Sequence, residues 1–429
     1  MEYTHRYCAR PSSEVAAEIT RHINIHRQAY NHTQYEYENL PSDTDTIGSA
    51  YKHHKRLTSW KDRFPVFGEV HSKALQCTVK RFYDNLSNLK DRKDAGYTVG
   101  RLKWKPPREY RSMTYSQSGF ELKNTSGRTA TLWLSKIGDM PIRYHRPIPA
   151  EAVIKEVTIK HESTGEWFVS FALEVDDDHL SEKRPVDELE AADCVGVDLG
   201  IRNYIHTSDG LSVGKLDVEM EYERLRKAQR TLSRREHGSE NWEKQRQRVA
   251  SIKRRIRRKV LDFQHKLTTW LVTEYDAVFV EDLDMKRMLE DSQNARNKQD
   301  AAWRQFITLL EYKADLYGCH VRQIKPEDTT KLCSECGVKT DKPLWVREHS
   351  CPACGFELGR DWNAALNVLE RGLRKLGLGQ PEVQRLLETG AAVGDDHSWS
   401  VSASTVVEAG SPTREQGSPD LNEAAVAAE

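Results

Sequence analysis

The sequence predicts a multidomain α+β chain, and three observations lead to that expectation. From Phe120 the apolar residues alternate with a period of two. Two apolar segments, around Asp198 and Glu281, are each interrupted by an acid, and two C-x-x-C pairs stand just ahead of an apolar helix. At 429 residues the chain is long enough for two or three domains, each with its own core.

Residues 3–10 read as a short strand, and Ser12-Ser13-Glu14 then opens a helix carrying Val15, Ile19, Ile23 and Ile25 at helical spacing. A largely helical, basic and aromatic-rich stretch continues to about Leu89. Residues 96–107 break it, with Arg101, Lys103, Trp104 and Lys105 close together. Segments 131–134, 153–159 and 167–173 alternate or run apolar between Gly, Pro and polar breaks, which predicts a small antiparallel sheet or barrel. Residues 3–10 can supply its first strand. Beyond an acidic linker, residues 194–204 form an apolar strand that turns at Gly200. Basic helices follow over about 219–236 and 242–275, then a second buried strand at 277–283. A helix near 301–317, a strand at 320–324, the cysteine pairs and a final helix at 362–376 complete the ordered part. From about Gly377, Gly, Ala, Ser and acids without periodicity predict disorder.

The 65 basic and 65 acidic residues cancel, yet they are segregated along the chain. Residues 224–259 hold 15 Lys/Arg against 3 Asp/Glu, whereas 174–193 and 381–429 each hold 9 acids and 2 bases. A basic block between acidic flanks suits a polyanion-binding surface, with the acidic stretches as linker and tail. No apolar run approaches the roughly 20 residues that cross a bilayer, and the N-terminus has no apolar signal region, so a cytoplasmic protein without membrane contact is expected. The eight cysteines are then read as reduced thiols, four of them around one metal.

Cys333/Cys336 and Cys351/Cys354 offer four thiolates from two tight turns, relaxed by Gly337 and Gly355, which is what a tetrahedral Zn²⁺ needs. Four sulfurs close its shell, so this zinc is structural. Asp198, Glu281 and Asp361 are unremarkable singly, because an acid at a strand end is more often a turn or cap residue. Together they are costly buried carboxylates unless they bind something, and such a cluster suits Mg²⁺ or Mn²⁺ in phosphodiester hydrolysis. The neighbours Asp282 and Asp284 read as solvent-facing. On the second basic helix Ile252, Ile256, Val260 and Phe263 share a face, leaving Arg254, Arg255, Arg257, Arg258 and Lys259 for nucleic-acid phosphates rather than for a merely solvated surface. Trp60, Tyr97, Trp104, Tyr110 and Tyr115 are divided between core packing and base stacking.

Thr329-Thr-Lys-Leu-Cys-Ser-Glu-Cys-Gly, His349-Ser-Cys-Pro-Ala-Cys-Gly and Arg360-Asp-Trp-Asn-Ala-Ala-Leu-Asn together resemble the C-terminal signature of the TnpB (OrfB) proteins of insertion sequences, relatives of type V CRISPR effectors. Val195-Gly-Val-Asp-Leu-Gly-Ile and Val278-Phe-Val-Glu-Asp-Leu resemble that family's first two RuvC motifs, and Asp361 matches the third. The resemblance implies an RNA-guided DNA endonuclease of a transposable element, with guide RNA and double-stranded target DNA as partners and room for a separately encoded transposase. It implies an RNase H-like (RuvC) nuclease domain at 194–330 and 357–376 with a zinc ribbon inserted at 331–356. Ahead of it come a wedge β-barrel at 1–10 and 120–175, a helical recognition lobe at 11–119 and an acidic linker at 176–193; a disordered acidic tail at 377–429 follows. Asp198, Glu281 and Asp361 carry over as ligands of two Mg²⁺ or Mn²⁺ ions, and the four cysteines as the zinc site. The family commonly has Asp-Arg-Asp before Asn-Ala-Ala, and here the first of these is Gly359, which leaves open an RNA-guided DNA-binding regulator or transposition accessory protein with weak or no cleavage.

Overall fold

The structure, a computed structural model, describes residues 2–39, 48–176, 180–190, 193–283, 302–343, 345–377 and 399–409. The chain divides into two compact units, Met1–His179 and Leu180–Glu429. Among the described residues no helix is long and apolar enough to cross a membrane.

In the first unit, strand β1 (Glu2–Ala9) leads into helix α1 (Ser13–Asn39), whose first turn is tied by the Val15 amide donating to Ser12 Oγ at 3.2 Å. Helices α2 (Ala50–His54), α3 (Leu57–Arg63) and α4 (Ser72–Asp94) follow, then strands β2 (Ser112–Ser116), β3 (Phe120–Lys123), β4 (Thr129–Leu134), β5 (Gly138–Arg143), β6 (Val153–His161) and β7 (Trp167–Glu174). They pair antiparallel in the order β2-β6-β7-β1-β5-β4-β3. The N-terminal strand does join this sheet, running from Glu2 opposite Glu174 to Ala9 opposite Trp167. The sheet is nearly closed, and the Tyr115 hydroxyl of edge strand β2 reaches the Ser135 carbonyl beyond β4 at 3.0 Å. Its inner face (Tyr7, Leu132, Met140, Val157, Val169 and Phe171) forms one core with Ile19, Ile23, Ala74 and Phe82 of α1 and α4.

The sheet starts earlier than the Phe120 expected from periodicity. Ser112–Ser116 alternates as well, burying Met113 and Tyr115, while Thr114 meets Thr158 of β6 at 2.8 Å. Five residues are too few for a period to stand out beside the basic, Pro-containing segment ahead of them.

The second unit begins with β8 (Cys194–Leu199), β9 (Asn203–Thr207) and β10 (Leu211–Gly214). The β9–β10 hairpin was not among the expected elements, although Asp209-Gly210 is a turn dipeptide and Gly210 takes φ +89°. The basic helices α5 (Glu219–Ser233) and α6 (Glu240–Glu274) follow, then β11 (Ala277–Glu281), α7 (Trp303–Tyr317), β12 (His320–Ile324), the short pair β13 (Glu348–Ser350) and β14 (Glu357–Gly359), and α8 (Arg360–Lys375). Strand β15 (Trp399–Val401) and helix α9 (Ala403–Ala409) come last. The sheet order is β12-β11-β8-β9-β10-β15; β9 is antiparallel to both its neighbours, and the remaining pairs are parallel.

Strand β15 and helix α9 overturn the expectation of disorder for residues 399–409. Val401, Ala403 and Val406 are buried in the same core as α6 and α7, Ser402 Oγ accepts from the Thr405 amide at 3.1 Å, and Lys266 Nζ donates to the Val407 carbonyl at 2.6 Å. A three-residue strand against an open sheet edge leaves almost no trace in a polar sequence. The rest of the expected tail from residue 378, and Asp284, lie outside the described residues.

Candidate functional site

The parity of two strands brings the predicted acids together. β8 and β11 run parallel from Cys194 opposite Ala277 to Val197 opposite Val280. Val195, Val197, Val278 and Val280 enter the core with α6 and α7, while Cys194, Ala277 and Phe279 pack with Val368 and Leu373 of α8. Because side chains alternate, Asp198 and Glu281 fall on the α8 face at the same level. Gly196 lets the α8 backbone lie directly on β8, since a Cβ there would stand 2.5 Å from Leu369 N and closer still to Ala365 O. Asp361 lies one helical turn before Ala365, and Asp198 one pleat beyond Gly196, so the third acid is carried to the same end of the sheet.

Asp198 and Glu281 are 7% and 6% exposed. Burial pushes the Asp198 carboxyl well above its usual range, and the neighbouring Glu281 and Asp361 push it further, with Arg360 opposing. Burial also raises Glu281, against a hydrogen bond from Thr329 and the charge of Arg371. Thr329 Oγ1 donates to Glu281 Oε1 at 2.6 Å. Arg360 Nε and Nη2 both reach Asp361 Oδ1, at 3.2 and 3.1 Å. Three carboxylates supply only hard oxygen donors, the ligand chemistry that Mg²⁺ or Mn²⁺ takes. Asp282, next along the chain, is exposed as expected.

His206, not among the candidate residues read from the sequence, stands opposite Asp198 in the β8–β9 register. Its ring stacks on Trp362 with centroids 6.2 Å apart at 25°, and burial lowers its pKa against the pull of Asp361 and Asp209. Trp362 in turn donates Nε1–H to the Ser208 carbonyl at 2.9 Å. No local signal marks His206, which reaches the site through an unrecognised hairpin.

The four cysteine sulfurs all lie within 4.8 Å of one another. Cys333 and Cys354 sulfurs are 3.7 Å apart, and those of Cys336 and Cys351 are 3.5 Å apart. Gly337 and Gly355 take φ +72° and +75° and return their amides to the Cys333 and Cys351 carbonyls, each at 2.9 Å. Backbone amides, first that of Cys354, draw the Cys351 thiol down to about 6. Four thiols so disposed could hold a tetrahedral zinc ion. Asn363 and Asn367 tie this knuckle to α8. Asn363 Nδ2 donates to the Leu332 carbonyl at 2.7 Å and its Oδ1 accepts from the Ser334 amide at 3.0 Å; Asn367 Nδ2 donates to the Leu332 and Thr329 carbonyls at 2.8 and 2.9 Å. The asparagines were legible as part of a motif, but their role as anchors was not.

The predicted nucleic-acid contacts divide. Arg255, Arg257 and Arg258 are exposed on α6, with Arg254 and Lys259 half-buried. Lys259 Nζ pairs with Glu221 Oε1 at 2.5 Å and Arg255 Nε approaches the same oxygen at 3.8 Å, so part of the positive charge is spent holding α6 to α5. Of the aromatic residues, Trp60, Tyr110 and Tyr115 are buried in core and cannot stack on a base, whereas Trp104 is exposed.

A four-cysteine knuckle is thus anchored to the helix that brings half-buried Asp361 towards the buried Asp198 and Glu281, and comparison with known proteins places this arrangement in a family. Residues 170–291 match the family model described as a probable transposase, OrfB of IS605 type, and residues 303–368 match the Cas12f1-like TNB domain. The chain is 34% identical over 379 residues to a "Putative RNA-guided DNA endonuclease" of Streptomyces pristinaespiralis, covering 86% of this chain and 89% of that protein. It is 25% identical over 401 residues to a protein of the same description, InsQ of Escherichia coli K12, covering 87% and 93%. Among solved structures its fold is similar to Cas12f1 in the cryo-EM complex with single-guide RNA and target DNA, with TM-score 0.53, 14% identity and coverage of 86% and 98%. The chain belongs to the TnpB/OrfB family.

Proposed function

We propose that this protein is an RNA-guided DNA endonuclease of a transposable element, hydrolysing DNA phosphodiester bonds in a RuvC-type, RNase H-like site. The convergence of Asp198, Glu281 and Asp361 at one end of β8, β11 and α8 is the observation that carries the reading. The relatives' descriptions and the nucleic acids in the Cas12f1 complex support it. Base pairing between a guide RNA and double-stranded target DNA selects the sequence, while the protein reads backbone shape and a short flanking motif.

Asp198, Glu281 and Asp361 would hold two Mg²⁺ or Mn²⁺ ions, which when bound supply a nucleophilic water and neutralise the leaving oxygen. The chain's own residues set the geometry. Thr329 fixes one oxygen of Glu281, the Arg360 guanidinium holds Oδ1 of Asp361, and the Trp362 ring keeps His206 beside Asp198. The cysteine knuckle acts from a distance by holding the N-terminal turns of α8 through Asn363 and Asn367. Gly359 does not argue against cleavage. It is exposed and nothing lies within 4 Å of where its Cβ would be, so an acid at this position would face open space.

The test is to express the gene with its native downstream DNA and purify the ribonucleoprotein. Cleavage of a plasmid carrying a matching target and a randomised flank is then assayed, with Asp198→Ala as control. Mg²⁺-dependent cutting that requires the RNA and disappears in the variant is expected. RNA-dependent binding with no cutting in the wild type would replace the nuclease by an inert RNA-guided binder, and absence of any bound RNA would refute the reading.

A further inference from the structure

The first unit contains a cavity of about 410 Å³ lined by Arg27, Gln28, Asn31, His32 and Tyr35 of α1, the turn around Phe64–Phe67, and Trp104. Its walls are largely aromatic, with His32, Tyr35, Phe64, Phe67 and Trp104. Trp104 is 54% exposed and Tyr35 50%, so two large ring faces lining the same cavity stay open to a ligand. Trp104 is held although its segment has no regular secondary structure. Asn31 clamps the adjacent Lys105 from both sides, donating to its carbonyl at 3.1 Å and accepting from its amide at 2.9 Å. Arg27 Nη1 adds a bond to the same carbonyl at 3.1 Å, and Gln34 Nε2 holds the Leu102 carbonyl at 2.9 Å. Four hydrogen bonds thus present a large ring to solvent at the mouth of a cavity.

The charge around it selects the ligand. Residues 101–109 carry Arg101, Lys103, Lys105 and Arg108 against Glu109 alone, and the Arg63 guanidinium lies 5.3 Å from the ring of Phe64, which also lines the cavity. Aromatic faces beside cations fit a planar base attached to a phosphate, whereas a paired duplex would offer no free base face. We infer that this cavity is a stacking site for one unpaired nucleotide of the bound RNA, its base lying on Trp104 and its phosphate facing Arg27 and Lys103. The inference rests on the proposal that the protein binds a guide RNA.

The probe is a single-stranded 12-nucleotide RNA carrying 4-thiouridine, with a blunt RNA duplex and a single-stranded DNA of the same sequence for comparison. The full-length protein is cross-linked to it and the adducts are mapped by mass spectrometry; affinities are measured for wild type, Trp104→Ala and Trp104→Phe. Adducts on Tyr35 or Trp104 are expected. Trp104→Ala should weaken the single-stranded RNA about 5- to 150-fold, the range for one stacked base, Trp104→Phe should recover most of that, and duplex binding should not change. An unchanged melting temperature in Trp104→Ala, expected for an exposed side chain, separates lost stacking from misfolding. Adducts confined to other residues, an unaltered affinity in Trp104→Ala, or an equal loss for single-stranded DNA would each overturn the assignment to RNA. Because the probe needs no cleavage, a positive cross-link with no guided cutting would leave this site standing while refuting the nuclease.

Discussion

Gly196→Ala tests the geometry that assembles the carboxylates. The added methyl would stand 2.5 Å from Leu369 N and 2.9 Å from its Cα, closer still to the Ala365 carbonyl, where about 3.4 Å is the nearest comfortable approach. Both obstructing groups are helix backbone, so no side chain can rotate away, and α8 must lift by about 1 Å. Overpacking of this kind costs about 1–3 kcal/mol. At about 2–4 °C per kcal/mol for a domain of this size, the melting temperature should fall by roughly 2–12 °C. The lift also carries Asp361 away from Asp198 and Glu281, and a misplacement of about 1 Å costs about 100-fold in rate. The assay is guided plasmid cleavage below the variant's melting temperature, beside Gly359→Ala, whose methyl would meet nothing within 4 Å. Gly196→Ala that melts and cuts like wild type would refute the claim that helix-on-strand contact positions the third acid.

Three further outcomes are expected. Chelation or Cys351→Ser should release zinc, measured by elemental analysis, and should lower cleavage even though no cysteine belongs to the carboxylate cluster, because Asn363 and Asn367 lose their anchors at Leu332. Truncation after Gly377 should lower the melting temperature by removing Val401 and Val406 from the core, about 1.5–3 kcal/mol for each buried valine; an unchanged melting temperature would make residues 399–409 a mere appendage. Glu36→Gln should destabilise the first unit by about 3–5 kcal/mol at neutral pH, since Glu36 accepts from Arg56 at 2.6 and 2.8 Å, from Trp60 at 3.1 Å and meets His53 at 3.0 Å. Burial alone would raise the Glu36 pKa, but hydrogen bonds from His32, His53 and Arg56 prevail and hold it far below the usual carboxylate range. A depressed folded pKa gives stability that is present above the unfolded value and is lost as pH falls through the folded one. Denaturant titrations should therefore show the gap between wild type and variant constant near neutrality and shrinking progressively as pH falls below the unfolded carboxyl's value of about 4.3.

Much of this protein was legible without coordinates. The cysteine pairs declare themselves because ligand spacing is a local property of two tight turns, and Asp198 and Glu281 stand out because an acid within an apolar strand is costly wherever that strand ends up. The long helices and the period-two strands follow from the same local rules. Short elements escaped: Ser112–Ser116 and Trp399–Val401 are strands only because an open edge was there to receive them, and period cannot be read from three to five residues. The sequence named three acids but not their meeting, which depends on strand parity, on the missing side chain of Gly196 and on the pitch of α8. His206, Thr329 and the two asparagines acquire roles only from neighbours far along the chain, and Lys259 was diverted to Glu221 for the same reason. Local chemistry is written residue by residue; convergence is decided by packing, because only the folded core determines which faces meet and how closely.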